Sequence, residues 1–347
     1  MTAMRNDTQS PLTATARAPR QGWIDTAKAT AIALVVLGHL NQSDFVSSFL
    51  WTFHVPLFFF VSGFLSKPVT TRQFGERLLT RLALPYVYLY VANVVITALI
   101  NNAYQPSAIG GELLGIVYGT HAYPGFINAA LWFLPALMTV EVLYHLVLRR
   151  YPLAYLPIIA LSYAIYRSGH IDLFFSVDLA LLGLNYFVAG AMLHRFNVMD
   201  RLRGRYGLAI AITVGASVAT LAAASIENVW YTGPHYALSL LAGCVGISMI
   251  LAGAWLIDPW LQRTRYVARA IRFVSANTLF VLCFHEYSAS LVTHVLPPGW
   301  LGSWLAESTV ITILAIAVLA PFNLLVLRFL PSMIGVRPKP STVSSKN

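Results

Sequence analysis

The chain has 347 residues, of which 57% are hydrophobic and 10% are charged, and its mean hydropathy is +0.67. A soluble domain carries about a quarter charged residues, so this composition excludes an ordinary soluble protein and indicates an all-α bundle of membrane-spanning helices in a lipid bilayer. The net charge of +10 would suit a nucleic-acid-binding protein, but the positions of the basic residues argue against nucleic acid as a partner.

About ten apolar segments are long enough, or nearly so, to cross the hydrocarbon core, which takes roughly 20 helical residues. They are predicted at residues 25–41, 48–66, 82–101, 131–148, 153–168, 173–193, 207–225, 235–256, 275–294 and 305–329. The first and fifth are the shortest. We expect one membrane domain over residues 23–330, between disordered cytoplasmic tails at 1–22 and 331–347. No cleavable signal peptide is predicted, because no A-x-A site follows a short apolar core.

The basic residues predict the orientation of these spans. With the N-terminus in the cytoplasm, every Lys and Arg except Arg167 falls at or near the cytoplasmic side. This is the pattern of the positive-inside rule, and an even number of spans then puts both termini in the cytoplasm. The longest outer segment, residues 102–130, contains the stretch GELLGIVYG, which we expect to form a re-entrant or interfacial helix.

The first span carries polar residues that are costly in hydrocarbon. Lys28 and His39 are eleven residues apart, so they lie on nearly the same face of a helix with an axial separation of about 16 Å. Asp25 precedes Lys28 by three residues, and the two are predicted to form an ion pair at the inner rim. Gly38 beside His39 would let a neighbouring helix or a ligand approach closely.

The second and ninth spans add histidines at a similar predicted depth. His54 follows the first turn by about as many residues as His39 precedes it, and His285 lies about ten residues from the inner rim of its span. We therefore expect the three imidazoles to converge near the middle of the membrane. Each of them can instead be an isolated group that hydrogen-bonds between helices, and this alternative stays open on the sequence alone.

Other residues of the second and fourth spans suggest structural roles. Pro56 cannot donate to the carbonyl of Thr52 and can kink the helix there, and Gly63 offers a close-packing surface. Trp132 fits an anchor at the membrane interface as well as a substrate contact. Glu141 can pair with the histidine four residues later in the chain.

The chemistry available to this set is that of a proton acceptor. Histidine titrates near neutral pH and can act as a general base towards a hydroxyl group. The sequence has no G-x-S-x-G elbow, no metal-ligand motif and no P-loop. This argues against a covalent serine mechanism, a zinc hydrolase and an ATP-driven pump, so we predict neither a metal site nor a permanently bound cofactor.

Four motifs resemble one known family, the acyltransferase-3 integral membrane proteins, and in particular its branch similar to fucose 4-O-acetylases. They are WIDTAKATAIALVVLGH, FHVPLFFFVSGFL, LWFLPALMTVE and NTLFVLCFHEY. The first two are specific in combination and the last two are weaker. The resemblance covers nearly the whole chain, and it implies a bacterial inner-membrane enzyme that moves an acyl group, usually acetyl from acetyl-CoA, to hydroxyls of cell-envelope sugars.

The resemblance also implies roles for particular residues. Many members have a basic residue and a histidine eleven positions apart, which here are Lys28 and His39, and the Asp-x-x-Lys start matches Asp25 and Lys28. His39 is then the expected catalytic base, Asp25 orients Lys28, and Lys28 helps to hold the donor. The expected contacts of the acceptor or of the thioester are His54, Trp132, Glu141, His285 and Glu286.

The expected partners are acyl-CoA as co-substrate and a glycan or lipid-linked sugar as acceptor. Acyl-CoA is a polyanion, and basic residues at the cytoplasmic rim suit its phosphates. Besides Lys28, those expected to bind them are Lys67, Arg72, Arg77 and Arg81.

Several alternatives remain on the sequence alone. Intramembrane His and Glu residues can also form the proton relay of an envelope-lipid transporter or flippase, although no inverted repeat supports it. A scaffold for a polysaccharide-producing complex is a weaker possibility, and the donor can be another acyl-CoA such as succinyl-CoA. Direct transfer and transfer through an acetyl-histidine are both open.

Overall fold

The computed structural model describes residues 21–40, 43–100, 106–124, 126–168, 171–202, 204–226, 236–296 and 299–336, and within them the fold is helical without strands, as predicted. The α-helices of these residues are α1 (Gly22–Gly38), α2 (Asp44–Trp51), α3 (His54–Phe64), α4 (Thr71–Leu78), α5 (Leu84–Ile100), α6 (Pro106–Tyr118), α7 (Phe133–Val142), α8 (Tyr155–Arg167), α9 (Val177–Arg195), α10 (Val198–Arg201), α11 (Tyr206–Ile226), α12 (Tyr236–Leu261), α13 (Arg265–Ala276), α14 (Thr278–Val295) and α15 (Trp304–Phe329). A π-turn at Leu79–Ala83 joins α4 to α5, and another at Leu143–Leu148 extends α7.

Seven helical segments of the described residues are long and apolar enough to cross a membrane, or eight if α13 and α14 are one bent span. The predicted count of ten is therefore not confirmed, although each predicted segment contains a helix. The difference comes from the first and fifth segments, since α1 has 17 residues and α8 has 13. At 1.5 Å per residue these helices are only about 26 Å and 20 Å long, less than a typical hydrocarbon core.

Two predicted spans are interrupted. The second starts earlier than predicted, with α2, and breaks at residues 52 and 53 before α3 begins. Pro56 explains this break, since a proline in the first turn of α3 cannot donate to the carbonyl of Thr52. The ninth span bends by 91° between α13 and α14, at Asn277, so its predicted start at residue 275 falls on the bend.

The stretch GELLGIVYG is helical, as predicted, and forms most of α6. Tyr86 Oη of α5 donates to the carbonyl of Ile116 at 3.0 Å, and Tyr90 Oη donates to that of Glu112 at 3.0 Å. Later residues of α6 thus lie beside earlier residues of α5, so the two helices run antiparallel. Tyr86 lies in the first turn of α5, so α6 runs back along α5 to the start of that helix. The expected re-entrant or interfacial placement of α6 stays a prediction.

Helix α1 occupies the centre of the bundle, where it packs against α3, α12, α13 and α14. Its first turn is fastened to α12, because Thr26 Oγ1 donates to the Asp258 carboxylate at 2.8 Å. A Cβ atom on Gly22 would overlap the same carboxylate, so a larger residue there would have to displace the Asp258 side chain from Thr26. The residue that follows α1, His39, lies at the end of the helix opposite its first turn, and its side chain is exposed.

The end of the bundle at the start of α1 carries Lys28, Arg81 and Arg195, and it is called the basic end below. The Trp23 ring packs on Phe64 at 5.5 Å, and Phe64 packs on His194, the residue before Arg195, at 5.1 Å. The predicted C-terminal tail starts here, but its first residues are ordered as a 3₁₀-turn at Pro331–Ile334. The other tail residues, 1–20 and 337–347, lie outside the described residues.

Candidate active site

Three histidines from three parts of the chain meet at the end of α1 that is opposite to the basic end. His39 directly follows α1, and its ring lies against that of His285 in α14 with the centroids 4.7 Å apart. The Trp51 ring of α2 lies 5.8 Å from His39 and 4.9 Å from His54. The imidazoles of His39 and His285 meet as predicted, and His54 joins them through Trp51, whereas their depth near the middle of the membrane stays a prediction. Trp51 completes the group, and its spacing of three residues from His54 is the signal that sequence reasoning missed.

Each imidazole is held by its Nδ1 atom. The bonds share one form, Nδ1–H to a backbone carbonyl three or four residues earlier, and they join His39 to Val35 at 2.9 Å, His54 to Leu50, and His285 to Leu282 at 2.8 Å. A carbonyl oxygen can only accept, so Nδ1 carries the proton of the neutral ring and Nε2 keeps a lone pair. The cluster therefore presents three proton-accepting nitrogens.

Two of these nitrogens are buried without a partner. His54 and His285 are 0% exposed, and neither Nε2 atom has a hydrogen-bond partner among the described residues. An unsatisfied buried polar atom costs about 1–3 kcal/mol, so native structures keep few of them. The arrangement fits a site that is completed by the polar groups of a bound molecule.

A pair of buried amides supports α14 beside this cluster. Asn128 Nδ2 donates to Asn93 Oδ1 and to the carbonyl of Cys283, both at 3.0 Å. Asn128 Oδ1 accepts from the backbone N–H of Ala130 at 2.9 Å. Sequence reasoning missed both amides, and the available signal was an asparagine in the middle of the apolar third span.

At the basic end, Asp25 and Lys28 converge on the bend between α13 and α14. Asp25 is buried and accepts a hydrogen bond from Ser275 Oγ at 2.7 Å, and Lys28 Nζ donates to the Ser275 carbonyl at 2.7 Å. Ser275 lies in the last turn of α13. The polar residues of α1 thus fix the point from which α14 rises to His285.

A cavity of about 400 Å³, called the central cavity below, lies between this rim and the histidines. Lys28 and Arg81 line it at the basic end. Ile32, Phe58 and Leu282 also line it, and they lie within two helical turns of His39, His54 and His285 respectively. The central cavity therefore starts at two cations and ends within two helical turns of the histidine cluster, although none of the three histidines lines it.

The other basic residues expected at phosphates lie elsewhere. Those that do not line the central cavity are Lys67, Arg72 and Arg77. The Arg72 guanidinium forms an ion pair with Glu76 at 3.2 Å on the exposed surface of α4. Of the four residues expected at the phosphates, the structure places only Arg81 on this cavity, and the role of Lys67, Arg72 and Arg77 stays a prediction.

Glu141 is partly buried and faces cations. The guanidinium groups of Arg77 and Arg81 are close enough to interact electrostatically with its carboxylate. His145, the partner suggested by the spacing of four residues, bonds instead through Nε2 to Ser66 Oγ at 3.1 Å and through Nδ1 to the arginine four residues later at 3.3 Å. Glu141 therefore belongs to the basic end rather than to the histidine cluster.

Trp132 is a core residue. It is 6% exposed, packs edge-on against Phe133 at 6.2 Å, and belongs to the same buried cluster as Ala27 of α1. Its predicted alternative role as an interfacial anchor is wrong, because its side chain is surrounded by protein.

Glu286 extends the histidine cluster. One ligand atom each of His39, His285 and Glu286 can be chosen so that all lie within 4.8 Å of one another, which makes this trio the part of the site that can hold a metal ion. Two imidazole nitrogens and a carboxylate oxygen are the ligand types of catalytic zinc sites.

The comparisons with known proteins agree with this chemistry. Residues 21–324 match the acyltransferase-3 family, whose description is an acyltransferase domain. Neither the curated proteins nor the solved structures contain a match to the chain. The match covers most of the chain, including α1 and the three histidines, and so the chain belongs to the acyltransferase-3 family of multi-pass membrane acyltransferases.

Proposed function

We propose that this protein transfers an acetyl group from acetyl-CoA to a hydroxyl of a cell-envelope polysaccharide or a lipid-linked sugar. The observation that carries this proposal is the arrangement along α1, with the central cavity beside Lys28 and Arg81 at one end and, at the other end of the helix, three imidazoles whose Nδ1 atoms are held by backbone carbonyls. The cations suit the phosphates of the donor. The axial distance of about 16 Å from Lys28 to His39 is of the order of the length of its pantetheine arm.

In this mechanism His39 is the general base. Its Nε2 takes the proton from the acceptor hydroxyl while the hydroxyl oxygen attacks the thioester carbonyl carbon. The carbon–sulfur bond then breaks, the ester is formed, and the leaving thiolate takes the proton back from the imidazolium. The Nε2 atoms of His54 and His285 accept hydrogen bonds from other hydroxyls of the acceptor, which suits a sugar.

The finer assignments are part of the same proposal. Asp25 orients Lys28 through Ser275, to which both residues bind, and Glu286 lies beside the reacting groups. The Asp-x-x-Lys start of α1 supports membership of the branch similar to fucose 4-O-acetylases. The basic end faces the cytoplasm of a bacterial inner membrane, where acetyl-CoA is available and the positive-inside rule puts Lys and Arg.

The test is transfer of labelled acetyl from acetyl-CoA to an envelope-glycan extract by membranes that contain the wild type or His39→Gln at equal expression. Loss of a general base lowers the rate by about 10²–10⁴-fold. His194→Gln is the matched control, since this histidine lies at the basic end and packs on Phe64. Full transfer by His39→Gln would refute the mechanism, and proton-coupled lipid flux without acetyl-CoA would favour a transporter instead.

A further inference from the structure

A separate cavity of about 330 Å³ lies where α7, α8 and α9 meet. Its wall includes Tyr144, Leu148, Arg149, Tyr155, Val188 and Arg195. None of these residues lines the central cavity, and none has a role in the proposed acyl transfer. We call it the arginine cavity.

A π-turn builds one side of the arginine cavity. The backbone N–H of Arg149 donates to the carbonyl of Tyr144 at 3.0 Å, a bond that spans five residues rather than four. Residues five apart are thereby stacked on one face, which brings the Tyr144 ring and the Arg149 side chain to the same wall. Such turns are rare and occur frequently at functional sites.

The two arginines are placed at the level of lipid headgroups. Arg149 follows the span Ala130–Leu148 directly, and Arg195 is the last residue of the span Phe174–Arg195. Both side chains are exposed, and no ion pair to a carboxylate is formed by either among the described residues. The Arg149 guanidinium donates to His145 Nδ1 at 3.3 Å.

The rest of the arginine cavity combines aliphatic and aromatic side chains. Val188 and Leu148 provide aliphatic surface towards the membrane interior. The Tyr155 hydroxyl donates to Asn185 Oδ1 at 2.6 Å, and the Tyr144 ring packs on Phe187 at 4.9 Å. These contacts restrain the two tyrosine side chains of the wall, and side chains that are already held in place lower the entropic cost of binding.

From this combination we propose that the arginine cavity binds one anionic glycerophospholipid, with its phosphate between Arg149 and Arg195 and an acyl chain along Val188 and Leu148. Two guanidinium groups can bind phosphate oxygens in pairs. A basic pocket between membrane helices at a basic face is a recurrent form of lipid headgroup site. The aliphatic part of the wall favours a lipid, whose acyl chain can cover it, over a free phosphate ion, which has no apolar group.

The test uses the full chain purified in detergent and analysed by native mass spectrometry with equal amounts of phosphatidylglycerol and phosphatidylcholine. The wild type should retain phosphatidylglycerol over phosphatidylcholine by about tenfold or more. The R149Q/R195Q variant should lose this preference. The matched control is R150Q/R201Q, which removes the same charge from exposed residues outside the arginine cavity and should retain the preference.

Val188→Trp provides a second variant, because it fills the arginine cavity without changing its charge and should also lower lipid retention. Equal loss of preference in both double variants would overturn the proposal in favour of general surface charge. Stabilisation by inorganic phosphate equal to that by phosphatidylglycerol would overturn it in favour of a free anion site. Weaker binding of acetyl-CoA by R149Q/R195Q, with lipid retention unchanged, would assign the cavity to the donor.

Discussion

At the scale of single residues, the cluster is defined by which nitrogen of each imidazole is already used. In His39, His54 and His285, the Nδ1 atom is hydrogen-bonded to a backbone carbonyl three or four residues earlier in the chain. The same choice at three positions leaves every Nε2 atom as an acceptor. Two of these atoms are buried without a partner, which folding alone would select against.

The first prediction separates the contribution of His285 to acetyl transfer from its contribution to the stability of the protein. His285→Leu removes a buried nitrogen without a partner and replaces the imidazole by an apolar side chain of similar size. The free energy of unfolding should therefore change by no more than about 1 kcal/mol. Acetyl transfer should fall by about 10²-fold, because the acceptor loses a positioning contact. Thermal unfolding in detergent and the labelled-acetyl assay measure the two effects.

A parallel loss of stability and activity in His285→Leu would instead identify His285 as a structural hydrogen-bonding residue. Cys283→Ser provides the comparison for a general disturbance of α14, since Cys283 is equally buried two residues away. This variant should lose stability, because a hydroxyl is buried among apolar groups, while the protein that remains folded keeps its rate.

The second prediction concerns Lys28 at the mouth of the central cavity. A charged hydrogen bond to a phosphate is worth about 1.5–3 kcal/mol, so Lys28→Gln should raise the KM for acetyl-CoA by about tenfold or more with a smaller change in kcat. Lys28→Arg should keep most of the affinity. Arg269→Gln, on the exposed surface of α13, is the control for the loss of one charge. An unchanged KM in Lys28→Gln would place the donor elsewhere.

The residue-scale site was partly predictable from the sequence. Spacing along antiparallel helices gives depth, and depth alone predicted that His39, His54 and His285 meet. Sequence spacing does not show which way a side chain faces at the rim of the bundle, because the surface helix that carries it can direct it to solvent. Arg72 illustrates this, because it lies close to the rim in sequence but pairs with Glu76 on the exposed face of α4.

At the scale of elements, the contact between α3 and α9 depends on two glycines. A Cβ atom on Gly63 would overlap the carbonyl of Phe187, and one on Gly190 would overlap that of Phe60. The two backbones therefore approach each other as in small-residue packing of membrane helices. This contact holds α3, which carries His54, against the rest of the bundle.

The third prediction follows from this approach. Gly63→Ala should destabilise the protein by about 2 kcal/mol or more, because the overlap is with backbone that cannot move aside. Gly215→Ala in α11 is the matched control, since nothing lies within 4 Å of the added Cβ and alanine favours a helix. The measurement is the midpoint of thermal unfolding in detergent. Equal midpoints for the two variants would show that the α3–α9 contact is looser than the structure describes.

Hydropathy predicted where the helices are but not how they are broken. Gly63 and the effect of Pro56 could be read from the sequence, because each acts on the backbone next to it. The 91° bend at Asn277 could not, because it depends on the contacts of Ser275 with Asp25 and Lys28 from a distant part of the chain. Composition also cannot show that α1 is too short to cross the membrane without help from its neighbours.

At the scale of the whole molecule, the two ends of the site differ in chemistry. The central cavity has its cations at the basic end, and the histidine cluster lies at the far end of α1. A single polyanionic donor that binds at Lys28 and Arg81 would thus hold its thioester towards the histidines. The proposed acceptor would then reach the cluster from the other side of the bundle.

The last prediction is that the donor acts from one face of the membrane only. Acetyl-CoA carries several charges and does not cross a bilayer unaided, since buried charge in hydrocarbon is very costly. Sealed inside-out vesicles, whose basic end faces the medium, should therefore transfer acetyl from added acetyl-CoA. Sealed right-side-out vesicles should transfer little until detergent opens them, and the activity after detergent shows that both preparations contain equal enzyme. Transfer by intact right-side-out vesicles at the detergent-treated rate would reverse the proposed orientation of the central cavity, because the donor would then have reached the site from the face that carries few Lys and Arg residues.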